Sequence, residues 1–371
     1  MDRLSVTYHL DVEDAAAEER AQAVALEQTV EVPRVVVRDA FFEKEVMGSV
    51  ESLERSEDGG YQARLSYPLG ATALEPAQFL NVMFGNSSLH ADVRLLDFEA
   101  PPAATAALGG PRHGLSGLRQ RLAAPERPLT CTAIKPMGLS SPALAELCGT
   151  FARAGIDVIK DDHGLADQSW SRFEERVPAC VRAVREAADA TGHEALYAPN
   201  LIGTPTRVLE KLRIAQQEGA SAVLVSPMLL GLPFFQELCQ RAELPVLAHP
   251  ALGGALRIAP QTLFGKLFRL FGADAVIYVS FGSRFSQSRE ACGELAQNLR
   301  RPWHSVRPAL PVPAGGIRVE SVPEVVDFYG RDVMLLVGGD LQIEGGALLE
   351  RSRAFVESVR EAGASPEAEP A

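Results

Sequence analysis

Residues 156–163 read Ile156-Asp157-Val158-Ile159-Lys160-Asp161-Asp162-His163, a short apolar run that closes on a lysine, two aspartates and a histidine. A strand buried on both faces reads as a continuous apolar run rather than an alternation, so the charged residues fall at its C-terminal end. The same texture recurs along the chain. With this one, eight such runs are found: Leu129–Ile134, Ile156–Lys160, Ala195–Ala198, Ala222–Val225, Pro245–Ala248, Ala275–Val279, Val312–Ala314 and Val333–Val337. Helical patterns separate them, at Ser141–Ala154, Trp170–Ala190, Pro205–Glu218, Pro233–Ala242, Pro260–Phe271, Phe285–Leu299 and Val322–Tyr329. Eight βα units of about 30 residues predict a (β/α)8 barrel. Part of the segment Ala100–Arg127, or Ala347–Ala362, supplies the remaining helix.

Upstream of the barrel the pattern is different. Ser5 to Val12 alternates with the period of a half-buried strand, and an Ala/Glu-rich helical stretch runs from Val12 to Gln28. Glu43–Glu57 and Tyr61–Pro68 read as strands joined by the hairpin signal Asp58-Gly59-Gly60. A short helix at Pro76–Phe84 and a strand at Ala91–Phe98 complete a βαββαβ order, that of a ferredoxin-like α+β domain. The expected fold is therefore an N-terminal ferredoxin-like α+β domain over residues 1–115 and a TIM barrel over 125–362. Ala100–Arg127, with Pro101-Pro102 and Gly109-Gly110, reads as a connector. Residues 363–371 have the Pro/Glu/Ala composition of a disordered tail.

Composition narrows the function classes. The 371 residues carry 36 Lys and Arg against 48 Asp and Glu, a net charge of −12, with no basic run interleaved with aromatics. Nucleic acid is thereby disfavoured as a partner, because phosphate backbones need clustered positive charge. No apolar stretch approaches the roughly 20 residues of a membrane span. The N-terminus lacks the order of a signal peptide, so a cytoplasmic protein is expected. The five cysteines, Cys131, Cys148, Cys180, Cys239 and Cys292, never form a Cys-x-x-Cys pair and read as buried small hydrophobes.

Barrel active sites lie at the C-terminal ends of the strands, so the residue closing each run is the one to read. Those residues are Lys135, Lys160 to His163, Asn200, Ser226, His249, Ser280, Gly315-Gly316 and Gly338-Gly339. Any one of them has a bland reading as a satisfied rim residue; convergence of the whole set on one rim argues for chemistry. Two Gly-Gly pairs after the seventh and eighth runs suit a phosphate cradled by backbone N–H groups. Carboxylates beside Lys160 supply hard oxygen ligands for a divalent ion such as Mg2+. Asp161 and Asp162 face opposite ways along a strand, so one of them is expected in the site. Lys160 adds an oxygen donor only as its carbamate, and His163 is a softer ligand.

At these residues the chain resembles the RuBisCO superfamily. The resemblance is carried by Glu27, Phe84-Gly85-Asn86, Lys135-Pro136 with Gly138-Leu139-Ser140, Gly155-Ile156-Asp157, Lys160-Asp161-Asp162, His249, Gly315-Gly316-Ile317 and Val337-Gly338-Gly339. It implies that Lys160 is a carbamylated lysine, that Asp162 and His163 complete a Mg2+ site, and that Lys135 and His249 act beside the substrate. Asn200, Ser280 and the four glycines, from their strand-end positions, and Arg284 are the candidate substrate-binding residues. The resemblance also implies that Glu27 and Asn86 reach the site from the N-terminal domain of a partner subunit, and hence a homodimer or higher oligomer with sites between subunits.

Departures from the pattern are equally informative. His163 stands where carboxylating members have an acidic ligand, and Met137 where a second lysine follows Lys-Pro. Pro250 and Gly253 replace an arginine and a histidine, Ile277 a substrate-binding histidine, and Ala314 a serine. Ser283-Arg284 stands for Gly-Lys in the mobile loop; arginine is always charged and differently shaped. The resemblance therefore implies a non-carboxylating RuBisCO-like protein. What survives is a platform on which a divalent ion polarises a carbonyl, a base removes the adjacent proton and the ion holds the enediolate. Lys135 and the Lys160 carbamate are the candidate bases. One phosphate site points to a sugar monophosphate. The preferred activity is 5-methylthioribulose 1-phosphate isomerase. The alternatives are a 3-oxo-isoapionate 4-phosphate decarboxylase or transcarboxylase/hydrolase, and a 2,3-diketo-5-methylthiopentyl-1-phosphate enolase.

Overall fold

The computed structural model describes residues 2–283, 287–342 and 347–364. The chain divides into two compact units. The first holds the residues up to Gly110 together with Gly253–Leu263 and His304–Val306; the second holds Pro111–Leu252, Phe264–Trp303 and the residues from Arg307 onward.

In the first unit four antiparallel strands, β1 (Arg3–Leu10), β2 (Ser49–Arg55), β3 (Tyr61–Pro68) and β4 (Val93–Glu99), take the order β2-β3-β1-β4. This is the ferredoxin-like arrangement expected from the sequence. Alternation fixes the faces: Leu4, Val6, Tyr8 and Leu10 of the central strand are all buried. The Tyr8 hydroxyl donates to the Met83 carbonyl at 2.5 Å, tying β1 to the helix Pro76–Phe84. One expectation fails. Residues 43–48 do not extend β2, because Ala40–Glu45 is a helix whose cap, Asp39, accepts from the Phe41 N–H at 2.8 Å. A side-chain cap of this kind overrides a weak strand alternation.

Eight parallel strands build the second unit: β5 (Leu129–Ile134), β6 (Val158–Asp161), β7 (Leu196–Ala198), β8 (Val223–Val225), β9 (Val246–Ala248), β10 (Ala275–Val279), β11 (Leu310–Ala314) and β12 (Met334–Leu336). They pair as β12-β5-β6-β7 and β8-β9-β10-β11. The Leu201 N–H donates to the Leu224 carbonyl (2.8 Å) and the Leu224 N–H to Pro199 (2.9 Å), joining β7 to β8; β11 lies against β12, closing the TIM barrel. Each strand lies on one of the apolar runs. Only β11 starts earlier than expected, through Pro311, since proline inside a run weakens the strand signal.

Every second residue points inward. Leu129 and Cys131, Leu196 and Ala198, Ala275 and Ile277, and Met334 and Leu336 belong to one buried cluster. Leu118 and Leu122 join it from the connector segment, which contains the helices Pro102–Leu108 and Gly114–Arg121. The second helix closes the N-terminal end of the barrel. Asp274, one residue before β10, accepts from the N–H groups of His113 (2.7 Å), Gly114 (2.6 Å) and Val246 (2.8 Å). A carboxylate at a helix N-terminus satisfies donors the helix cannot and complements its dipole. Leu348–Ala364 supplies the eighth outer helix and takes in Gly363 and Ala364, so these two do not belong to a disordered tail. The rest of that expected tail, residues 365–371, lies outside the described residues. All five cysteines are buried free thiols. Among the described residues no helix is long and apolar enough to cross a membrane.

Asp274→Ala removes the acceptor for three N–H groups. At about 1–3 kcal/mol for each buried donor left unpaired, unfolding stability should fall by roughly 3 kcal/mol or more, read as a lower urea midpoint at unchanged m-value.

Candidate active site

The inward series on β6 runs Val158, Lys160, Asp162, and the ladder sets Ala133, Lys160 and Ala198 side by side. Asp161 therefore turns outward. Its carboxylate accepts from Arg176 Nε (3.1 Å), the Tyr197 hydroxyl (2.7 Å) and the Asn200 N–H (3.0 Å). Neither side chain of the Asp161–Arg176 pair has any exposure. Arg176 also donates to the carbonyls of Ser171 and Ala166, so the clamp holds the start of helix Phe173–Thr191 and the loop before it. Sequence reasoning missed Arg176 and Tyr197. The available signal was an arginine on the apolar face that Phe173, Val177 and Cys180 mark out.

On the inward side Lys160 is 2% exposed, and its Nζ donates to the Asp161 carbonyl at 3.0 Å. Burial pushes this amine below the usual lysine range, and the nearby Lys135 charge adds to the effect. Lys135, just past β5, places Nζ 3.0 Å from Asp162 Oδ1, and His163 Nδ1 lies 3.4 Å from the same oxygen. Burial by itself would raise the Asp162 carboxyl. Hydrogen bonds from His163 and Lys135 and the charges of both lysines outweigh it and hold the group well below the usual carboxylate range.

The His163 ring stacks on His249, with centroids 4.2 Å apart and planes 12° from parallel. His249 Nδ1 accepts from the Ala251 N–H at 3.2 Å, which leaves the proton of the neutral ring on Nε2. Burial, reinforced by the charge of Lys160, pushes His249 down to about 2, so the ring is neutral.

The other expected residues separate into two groups. Asn200 is buried and braces the loop, donating to the carbonyls of His163 (2.8 Å) and Leu165 (2.9 Å) while its Oδ1 has no partner. Ser280 is buried with Oγ 3.1 Å from the Tyr329 hydroxyl. Gly315 and Gly316 have φ of +93° and +132°, which an L side chain rarely adopts. Gly338 and Gly339 have ordinary φ, and an added Cβ would meet nothing within 4 Å. In the first unit Asn86 Nδ2 donates to Glu27 Oε1 at 3.0 Å. Arg284 lies outside the described residues.

Among the described residues no three His, Cys, Asp or Glu side chains surround a common point. Asp162 and His163 alone, one carboxylate and one imidazole, are too few for Mg2+, which prefers oxygen. The set fits Mg2+ once Lys160 contributes carbamate oxygens. Burial of the amine favours its uncharged form, the form that adds to CO2.

Two lysines, an ionised carboxylate and a stacked histidine pair at the C-terminal ends of the first, second and fifth barrel strands define a (β/α)8 enzyme of the kind that handles protons next to a carbonyl. Residues 114–346 match the catalytic domain of the ribulose bisphosphate carboxylase large chain, and the protein belongs to that family, RuBisCO. The chain is 47% identical, over 98% of its length and 99% of the relative's, to ribulose bisphosphate carboxylase-like protein 1 of Rhodopseudomonas palustris. It is 41% identical, over 96% of both chains, to the 5-methylthioribulose-1-phosphate isomerase of Rhodospirillum rubrum. The crystal structure of a Rubisco-like protein from R. palustris superposes with a TM-score of 0.91 at 42% identity, covering 99% of this chain and 100% of that one.

Asp161→Ala leaves Arg176 charged and buried without its counter-ion. Loss of one partner of such a pair typically costs about 3–5 kcal/mol, to be read by denaturant unfolding. A control in an exposed pair, Glu237→Ala opposite Arg241, should cost far less.

Proposed function

We propose that this RuBisCO-like protein is a cytoplasmic isomerase that moves a proton along the carbon chain of a sugar monophosphate, 5-methylthioribulose 1-phosphate. The observation that carries the reading is the unequal burial of two lysines around one carboxylate. Lys160 is sealed at 2% exposure, whereas the Lys135 side chain is 37% exposed and its Nζ reaches Asp162. A group that takes a proton from one substrate carbon and returns it to another must reach the substrate, and where it also meets water the carried proton can exchange. Lys135 is therefore assigned the transfers, and Lys160 is assigned to the fixed frame. The relative from R. rubrum named for this isomerase activity supports the substrate class.

Mg2+ is assigned to the Lys160 carbamate, Asp162 and His163. When bound, it supplies the positive charge that acidifies a C–H beside a ketone. The chain's own residues do the rest. Neutral His249 backs His163 and offers an Nε2–H. The Gly315-Gly316 N–H groups suit the phosphate, with Gly338-Gly339 leaving room for close approach. The assembly is assigned as a homodimer, in which the hydrogen-bonded Glu27 and Asn86 of one subunit complete the site of the other; family membership supports this.

Incubation in D2O with Mg2+ tests the reading. Deuterium should enter 5-methylthioribulose 1-phosphate without release of CO2. Release of CO2 from 3-oxo-isoapionate 4-phosphate, or turnover confined to the 2,3-diketo phosphate, would replace the isomerase with the corresponding lyase or enolase. Lys135→Ala should lower kcat at least about 100-fold, the scale of a lost general acid–base group. In Lys160→Ala, CO2 should no longer enhance metal binding as it does in the parent.

A further inference from the structure

Next to the proton-handling residues stands a thioether in an unusual setting. Met137, two residues beyond Lys135, is 54% exposed, an exposure comparable to those of Trp170, Leu229 and Leu252 in the same unit. It is nevertheless held in place. Gln168 Nε2 lies 3.6 Å from Met137 Sδ, donates to the Gly164 carbonyl at 2.8 Å, and its Oε1 accepts from the Ala166 N–H at 2.9 Å. With both ends of its amide tied to the loop after β6, Gln168 presents a fixed N–H to the sulfur, a weak but real acceptor.

The sulfur also borders the reacting centre. A methyl built on Gly164 would lie 3.5 Å from Met137 Sδ and 3.6 Å from Asp162 Oδ2, so thioether and carboxylate flank one small patch of surface. Three bonds of an extended chain span roughly 4 Å. A substrate with its reacting carbon near Lys135 and Asp162 therefore brings a substituent three bonds further on within reach of Met137. In 5-methylthioribulose 1-phosphate that substituent, counted from C3, is the sulfur of the methylthio group.

We infer that Met137, fixed by Gln168, is a specificity-determining residue that packs on the apolar, thioether-bearing end of the sugar phosphate and discriminates against a hydroxylated end. The inference rests on the isomerase reading and adds the origin of its selectivity. A polarisable, unbranched side chain suits a methylthio group, and the nearest amide donor, Gln168 Nε2, is already directed at the sulfur rather than free for a hydroxyl.

The test compares kcat/KM, and calorimetric Kd, for 5-methylthioribulose 1-phosphate and for ribulose 1-phosphate, which carries a hydroxyl in place of the methylthio group. The parent should prefer the thioether substrate. Met137→Gln should lower that preference about tenfold or more, the scale of one lost apolar contact in a pocket; Met137→Leu should restore most of it, and Gln168→Ala should give an intermediate loss with unchanged thermal stability. If the parent turns over the thioether substrate but Met137→Gln changes both substrates equally or neither, the specificity role is wrong and the isomerase reading stands. If the parent neither binds nor converts either phosphate, the isomerase reading fails and takes the specificity role with it.

Discussion

Three partners converge on the carboxylate of Asp161: the Arg176 guanidinium, the Tyr197 hydroxyl and the Asn200 N–H. An unpaired charge at zero exposure would cost several kcal/mol, so the side chain can point this way only because all three are present. Their presence fixes the register of β6, and a one-residue slip would exchange its two faces. With Asp161 outward, Lys160 and Asp162 must face the barrel interior. Tyr197 and Asn200 come from the next strand and the residues just beyond it, and Arg176 comes from the following helix. The clamp thus couples the site lysine to the packing of the whole second βα unit.

The inward set is electrostatically self-consistent. Lys135, His163 and Lys160 keep Asp162 ionised, and Asp162 in turn offsets the positive charges around it. His249 contributes no charge and can stack on His163 without like-charge repulsion. Burial separates the roles of two chemically identical lysines: one amine is sealed and depressed, the other remains within reach of solvent. Residue type alone would have made them interchangeable.

Much of this architecture was legible from residue order. The eight apolar runs lie on the eight barrel strands, and β1 to β4 follow the expected βαββαβ plan. Both are readable because a strand buried on two faces cannot hide its composition and a half-buried strand must alternate. The failures have physical causes. Residues 43–45 joined a helix through the Asp39 cap, and the segment between the two domains contributes, as well as the connection, a helix that closes the barrel floor. That helix carries few apolar residues, and Asp274, far away in sequence, holds its N-terminus.

The candidate site was legible to the same degree. Strand-end position named Lys135, Lys160, Asp162, His163 and His249, because the end of an inward-facing run must open at the rim. Sequence alone determined which residue types reach that rim, since the period of a strand is a local property. Only the tertiary structure decided their states. It made Asp161 a clamp rather than a ligand, tied Asn200 Nδ2 to the His163–Leu165 loop, stacked His163 on His249 and pinned Met137 beside Asp162. Those outcomes depend on burial and on partners from other strands and helices, which no local pattern encodes.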